Sequence, residues 1–552
     1  MNYKVLQVLQ TPKIFGDDKM KIDDGNLKIP FIVGVTGHRD LTEESRKSAQ
    51  EEVAEVFKNL NKLLPNTEIY LLSPLADGAD RIVAEAALDH NIKLISPLPF
   101  QKEEYLNDFN DSSKDEFNAL LKKAEKSYFI GYSENTSDNR DKQYEKLGKH
   151  IADSCNLLIA LWDGKESTKI GGTSQVVKYK ETGFQNELFD GLDGNAIQYI
   201  KVEREKKHQE ETSIRENYKS EFKALGFNID TKEEYDELLA ELDSANEVII
   251  QNNKLPLRGK SHIENLCEFY SDVATKYQDN FNSSSFFVIG SAWLAVLSLE
   301  LLHNFHLMIF MFIYLLVILL AFGYYYFVFD KGEKQDKFLF FRGLSEALRV
   351  QMYWNRAGVN ENVSKYYLKK QYSNVTWLKI ALNNLVFREK HVLETTDKPD
   401  INEVIHEWID GQINYFKAAI KKREKNYERL EKLEKYFYNL GLVSLIITFA
   451  IFLVYHFTHE YEFIFHVGLF VSGMSLVTAG FIGEKFLYLK GHKEALHNFR
   501  IMDKIFKKAR NLLSNNQTDS KKILLELGKE ALDENSLWVS LHYSRKLKPS
   551  ME

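Results

Sequence analysis

The sequence predicts an α/β Rossmann-like N-terminal domain built on a mostly parallel sheet, followed by an all-α transmembrane domain with four membrane helices and long cytoplasmic helices. Two observations carry that expectation. Short apolar runs alternate with helical periodicity through roughly the first two hundred residues, the pattern of strands covered on both faces by helices. Further on, four apolar runs come in two pairs, each run close to the ~20 residues that cross a bilayer core.

The candidate strands are 30–35, 68–73, 92–96, 126–131, 156–162 and 196–202, with helices between them at 41–60, 80–90 and 141–154. The chain divides into an N-terminal extension (1–27), the α/β domain (28–203), a charged helical linker (204–262), a first membrane hairpin with its cytoplasmic helices (263–400) and a second one (401–552). The extension, MNYKVLQVLQTPK at its start, lacks the apolar core of a signal peptide.

The membrane runs are 285–302 and 307–329, then 440–457 and 463–482. The connector inside each hairpin has no Lys or Arg, whereas the sequence between hairpins is crowded with them, among them Lys331, Lys334, Arg342, Arg349, Lys369, Lys370 and Lys421. By the positive-inside rule both termini and the central segment are cytoplasmic. The hairpins read as copies of one unit: Arg342-Gly343-Leu344-Ser345-Glu346-Ala347-Leu348-Arg349 follows the first, and Lys490-Gly491-His492-Lys493-Glu494-Ala495-Leu496-His497 the second. Each is preceded by a long helical segment, 263–282 and 413–439.

Composition narrows the function classes. A chain of 552 residues, 44% hydrophobic and 27% charged, is neither fibrous nor low-complexity. A net charge of −7 and a pI of about 6.2 argue against a general nucleic-acid binder. The two cysteines, Cys155 and Cys267, provide neither a disulfide framework nor a metal cluster.

Ligands of open parallel sheets bind beyond the carboxyl ends of the strands, so the loops leaving them are the candidate site. The first is Gly34-Val35-Thr36-Gly37-His38-Arg39-Asp40, where Gly37 permits close approach and Arg39 and a helix N-terminus favour an anion. The second contains Ser73, Asp77, Gly78, Asp80 and Arg81, and Asp80 is equally well read as a helix cap. The third, Ile170-Gly171-Gly172-Thr173-Ser174, again feeds a helix N-terminus. Together the three loops point to a nucleotide or another phosphorylated ligand. In the membrane part, Ser472, Ser475 and Ala479 form a small-residue face suited to packing or to lining water, and Glu300 is the acidic residue within a run. Five histidines near the outer ends (His303, His306, His456, His459 and His466) are read as interfacial, with no metal expected.

Ser73-x-x-Ala76-x-Gly78-Ala79-Asp80 resembles the S-x-x-A-x-G-[IA]-D loop of the SLOG superfamily, which unites DprA-type proteins, the LOG nucleotide phosphoribohydrolases and the TRPM channel head. The loops at Gly37-His38-Arg39 and Gly171-Gly172-Thr173 match its first and last ligand loops in order. The rest resembles the SLATT family of membrane hairpins found in bacterial conflict systems. That resemblance implies a homo-oligomeric defence effector of the inner membrane, in which the head senses a nucleotide- or NAD-derived signal, without a further cofactor, and gates a pore or disrupts the bilayer. The alternative is a membrane-tethered nucleotide N-glycosidase of LOG or NAD-hydrolase type. The LOG motif P-G-G-x-G-T-x-x-E is only partly kept: Ile170 replaces the proline, Val176 and Val177 stand where a carboxylate is wanted, and Glu181 lies further along. Binding without turnover is therefore expected, with no catalytic residue assigned.

Overall fold

The computed structural model describes residues 27–131, 137–183, 195–205, 211–215, 218–225, 229–330, 334–367, 376–393, 399–458, 461–483, 492–514 and 519–544. The N-terminal extension up to residue 26, Lys331, Lys369, Lys370, His459, Lys490 and Gly491 lie outside the described residues.

The strands are β1 (Phe31–Gly37), β2 (Ile69–Leu72), β3 (Lys93–Leu98), β4 (Lys126–Phe129), β5 (Leu157–Trp162), β6 (Lys165–Ser167), β7 (Asn195–Lys201), β8 (Glu211–Ile214) and β9 (Glu221–Leu225). Seven of them form one sheet in the order β4-β3-β2-β1-β5-β7-β9, while β6 and β8 pair separately. All pairings in the large sheet are parallel except β7 with β9. The central strands read FIVGVTG, IYLL and LLIALW, continuous apolar runs rather than alternating ones, because helices cover both faces. On β1, Phe31, Val33 and Val35 enter one core and Ile32 the other. Helix Glu43–Leu63 packs on the first through Ala49, Val53, Phe57 and Leu60, a 3.6-residue stripe, and Thr42 caps it by accepting from the Ser45 N–H.

The six expected strands are present, and the segment expected as a charged linker needs correction. It contributes β8, the antiparallel edge strand β9 and helix Lys232–Gln251, which belongs to the head. Asn246 of that helix is fully buried, accepting from the Ile29 N–H at 2.7 Å and donating to the Ile29 carbonyl at 2.9 Å. Asp243 accepts from the Asn66 N–H and the Thr67 hydroxyl, each at 2.8 Å. Apart from Asp243, the charges that suggest a linker lie on its solvent face; the buried face carries Tyr235, Leu238, Leu239 and Leu242.

Four helices are long and apolar enough to cross a membrane, which marks the chain as a membrane protein. Two expected pairs of segments fuse. Helix His262–Phe305 has 44 residues and Gly411–Thr458 has 48, so each runs without a break from the helical body into its apolar run. At 1.5 Å per residue they are about 66 and 72 Å long. His262–Phe305 packs along both Ile309–Tyr324 and Glu462–Gly480, and the latter packs along Gly411–Thr458. Glycines set the closest approaches: a Cβ on Gly468 would stand 2.2 Å from Thr448 Oγ1, and one on Gly441 2.7 Å from Leu476.

The head is bonded to this helical part at the amino-terminal end of its sheet. Asn384, on helix Thr376–His391, donates to the Pro30 carbonyl at 2.8 Å and to Asn156 Oδ1 at 2.7 Å. Arg388 donates to the Lys28 carbonyl at 2.5 Å, and the Tyr270 hydroxyl of the long first helix donates to the Leu27 carbonyl at 2.7 Å. Leu27, Lys28 and Pro30 lead directly into β1.

Candidate functional site

From β1 the sheet grows through β2, β3 and β4 on one side and through β5 and β7 on the other. The reversal makes the carboxyl ends of β1 and β5 a topological switch point, the place where open parallel sheets bind their ligands. Thr36 pairs with Ala160 and Gly37 with Leu161 at that edge.

Backbone contacts bind the loops together. The His38 N–H donates to the Leu161 carbonyl at 3.1 Å, and the His38 carbonyl accepts from the Ala79 N–H at 3.0 Å. Gly37 and Gly78 serve this closeness: a Cβ on Gly37 would lie 2.2 Å from that of Ala79, and one on Gly78, at φ +77°, 2.5 Å from the Arg39 carbonyl oxygen. Across the switch point His38 Nε2 meets Asp163 Oδ1 at 2.9 Å. Burial raises the Asp163 carboxyl, but the hydrogen bond and charge of His38 and the Lys165 N–H outweigh it and hold Asp163 below the usual carboxylate range. Its second oxygen, Oδ2, is buried with no hydrogen-bond partner among the described residues.

The expected ligand residues separate into two groups. Arg81 is buried and fully engaged: Nε donates to the Leu75 carbonyl at 3.2 Å, Nη1 meets Glu116 at 2.8 Å and Asp77 at 2.9 Å, and Nη2 donates to Ser113 at 2.9 Å. Asp77 also accepts from the Ser113 hydroxyl. These two residues build the second loop. Arg39 is exposed, lies 5.7 Å over the Tyr144 ring and forms no ion pair among the described residues. Tyr144 also backs the third loop, since a Cβ on Gly171 (φ +72°) would stand 2.8 Å from the Tyr144 Cβ. Sequence reading misses Tyr144, which sits mid-helix on Ser137–Ser154 with its hydroxyl bonded to Asp108. Gly172 is the N-cap of helix Thr173–Thr182 and makes no side-chain cap bond; it and Thr173 are half-buried.

Asp80 is buried beside Arg39, with Oδ2 accepting from the Ala76 N–H at 3.2 Å. Burial pushes its carboxyl up to about 7, against the opposing pull of Arg39, the Ala76 N–H and Arg81. In the unfolded chain it ionises near its ordinary value, so between those two values the folded state binds more protons and stability falls as pH rises. Asp80→Asn is therefore expected to raise the apparent Tm clearly more near pH 8 than at about pH 5. Thermal unfolding of both proteins at both pH values checks this; equal shifts at the two would contradict it.

Other acids are already engaged. Glu181 forms a bidentate pair with Arg215 at 2.8 and 2.6 Å and accepts from the Tyr199 hydroxyl at 2.5 Å. In the membrane part Ser472, Ser475 and Ala479 are buried between helices of the single chain, and the Ser472 hydroxyl donates to the Leu469 carbonyl. Glu300 accepts from Asn304 Nδ2 at 3.0 Å and lies against Gly473. The His306 and His466 rings are 6.1 Å apart, and no group of potential metal ligands occurs among the described residues.

Fold and site define a membrane protein with a Rossmann-like head whose switch-point edge presents an exposed arginine and a helix N-terminus that carries no side-chain cap. No protein-family model matches the chain, and no curated protein is similar enough to count as a relative.

Proposed function

We propose that this chain is a multi-pass effector of the inner membrane whose cytoplasmic SLOG-like head senses a nucleotide-derived, phosphate-bearing signal and gates a pore or disrupts the bilayer. The observation that carries the reading is the two-ended sheet. Its carboxyl edge offers Arg39 and the Gly172 helix N-terminus, and its amino edge is bonded through Leu27, Lys28 and Pro30 to helices that run on into the membrane. An anion is favoured where a guanidinium and free helix N–H groups converge. A ligand moves a two-state equilibrium only through differential affinity, so sensing and output need such a physical link. The four membrane helices leave broad apolar faces exposed, with Leu319 at 69% and Ile446 at 70%, area for lipid and for further copies of the chain.

Gly172→Asp tests the ligand site. Aspartate is a good N-cap, so the helix is expected to stay folded while a carboxylate occupies the anion position. The loss of affinity for the phosphate-bearing ligand should be at least roughly tenfold, on the scale of a charge-assisted hydrogen bond. Unchanged nucleotide binding would remove the ligand from this edge.

The SLOG-like reading also predicts sidedness. Both native cysteines are buried, so background labelling is low. A cysteine at Leu307, 49% exposed at the first hairpin tip, should react with an impermeant reagent from outside the cell, and one at Lys421 should not. The reverse pattern would put the head outside and end the nucleotide-sensor reading.

The His38–Asp163 pair favours a second reading, nucleotide N-glycosidase activity, with Asp163 as the available carboxylate in place of Glu181, which Arg215 holds. Release of free base by purified wild type but not by Asp163→Asn would promote it.

A further inference from the structure

A cavity of about 320 Å³ lies at the joint between the head and the helical body, within the size range of small-molecule sites. Its walls come from helix Ser137–Ser154 of the head, helix Lys334–Arg356, the following loop and helix Thr376–His391. Three of its carboxamides have their oxygens tied into the protein. Asn355 Oδ1 accepts from Gln351 at 2.9 Å, Asn360 Oδ1 from Lys390 Nζ at 2.9 Å, and Asn383 Oδ1 from Asn362 at 2.9 Å and Ser364 at 3.2 Å. Among the described residues none of their three amino groups donates to a protein acceptor. Lys365 and Lys390 also line the cavity, and both are exposed. Partial desolvation of its ammonium group and the charge of Lys365 lower Lys390, against the opposing charge of Glu361.

The carboxylates around it are in part engaged. Glu389 is bonded to His262, Glu361 accepts from the Tyr366 hydroxyl, and Asp153 is exposed. His150 adds no charge: burial and Lys390 push it down to about 4. The open hydrogen-bonding capacity of the three carboxamides and two lysines is therefore all donor, the complement of an oxyanion.

We propose that this cavity is a second ligand site, distinct from the sheet edge, which takes a phosphomonoester, with the phosphate held by Lys365, Lys390 and the carboxamides of Asn360 and Asn383. This goes beyond the sheet-edge reading and does not rest on it. Helix Ser137–Ser154 links the two, with Tyr144 at the sheet edge and His150 and Ser154 at the cavity. A ligand bridging that helix and Thr376–His391 selects one docking of the head on the helical body.

The test is calorimetric titration of the full chain in detergent with AMP and ribose 5-phosphate, using adenosine and ribose as dephosphorylated controls. It is run in wild type and in Gly172→Asp, whose sheet edge carries a carboxylate. Both phosphates are expected to bind, and the Gly172→Asp chain to keep that binding. Lys365→Ala/Lys390→Ala should weaken it roughly tenfold or more. Asn383→Asp, which keeps the accepting oxygen and replaces the amino donor by an anionic oxygen, should do the same without disturbing the fold. Phosphates that bind no better than their controls, binding unaffected by Asn383→Asp, or binding abolished by Gly172→Asp would each overturn the site.

Discussion

Glu346→Ala should be the most damaging single substitution in the helical body. Glu346 is 1% exposed and pairs with both basic residues of its repeat, Arg342 at 2.5 Å and Arg349 at 2.8 Å, which are also buried. The i−4 and i+3 spacing puts all three on one face of helix Lys334–Arg356. Removing the shared carboxylate leaves two guanidinium groups without their counter-charge; breaking a buried pair from one side costs about 3–5 kcal/mol. Glu534 lies nearby: in the wild type burial and the neighbouring Glu346 push it up to about 7, and loss of Glu346 removes the second of these causes, so Glu534 offsets part of the lost counter-charge. Combining Arg342→Met, Glu346→Leu and Arg349→Met removes the whole triad and should recover most of the loss, since a packed apolar core avoids desolvating the ions. If Glu346→Ala unfolds like wild type, the triad is not sequestered as described.

Gly37→Ala should break the switch-point edge. The added methyl would stand 2.2 Å from the Ala79 Cβ and 2.9 Å from the Leu161 carbonyl oxygen, both on rigid backbone. Overpacking of this kind costs about 1–3 kcal/mol, and here it also pries apart the Ala79 N–H to His38 carbonyl bond. The expected result is a lower apparent Tm together with loss of ligand binding. Gly37→Ala with Ala79→Gly exchanges the two methyl positions and should restore much of both, a coupling that a double-mutant cycle measures. Additive effects would mean that the loops do not touch at this point.

What can be read from the sequence divides along physical lines. β1, β2 and β5 are legible because strands buried on both faces are continuous apolar runs, and the membrane helices because lipid leaves no polar face. β9 is not, since EFKAL alternates exposed and half-buried positions at a sheet edge. Helix Lys232–Gln251 reads as linker because its anchors, Asp243 and Asn246, are polar residues bonded to segments 176 to 217 positions earlier. The site shows the same limit. Arg39 can be picked out from its place after a strand, but Arg81 in the next loop has the same signature and is consumed by Ser113 and Glu116, partners that only the fold supplies. The repeat is visible as a motif, yet its two copies differ in setting: Glu346 is enclosed, while Glu494 and His497 are exposed.

The central claim is that a phosphate-bearing ligand sits at the carboxyl edge of the head. The most direct measurement is mass spectrometry of small molecules that stay with the full chain after incubation with a cell extract and re-isolation in detergent. Both variants are made in a Lys365→Ala/Lys390→Ala chain, so that the cavity at the joint retains nothing; the account predicts a nucleotide-type phosphorylated compound with that parent, as with wild type, lost when Gly172→Asp or Arg39→Ala is added while the chain remains folded and membrane-inserted. No phosphorylated compound with wild type, or the same compound in equal amount with both variants, would contradict it.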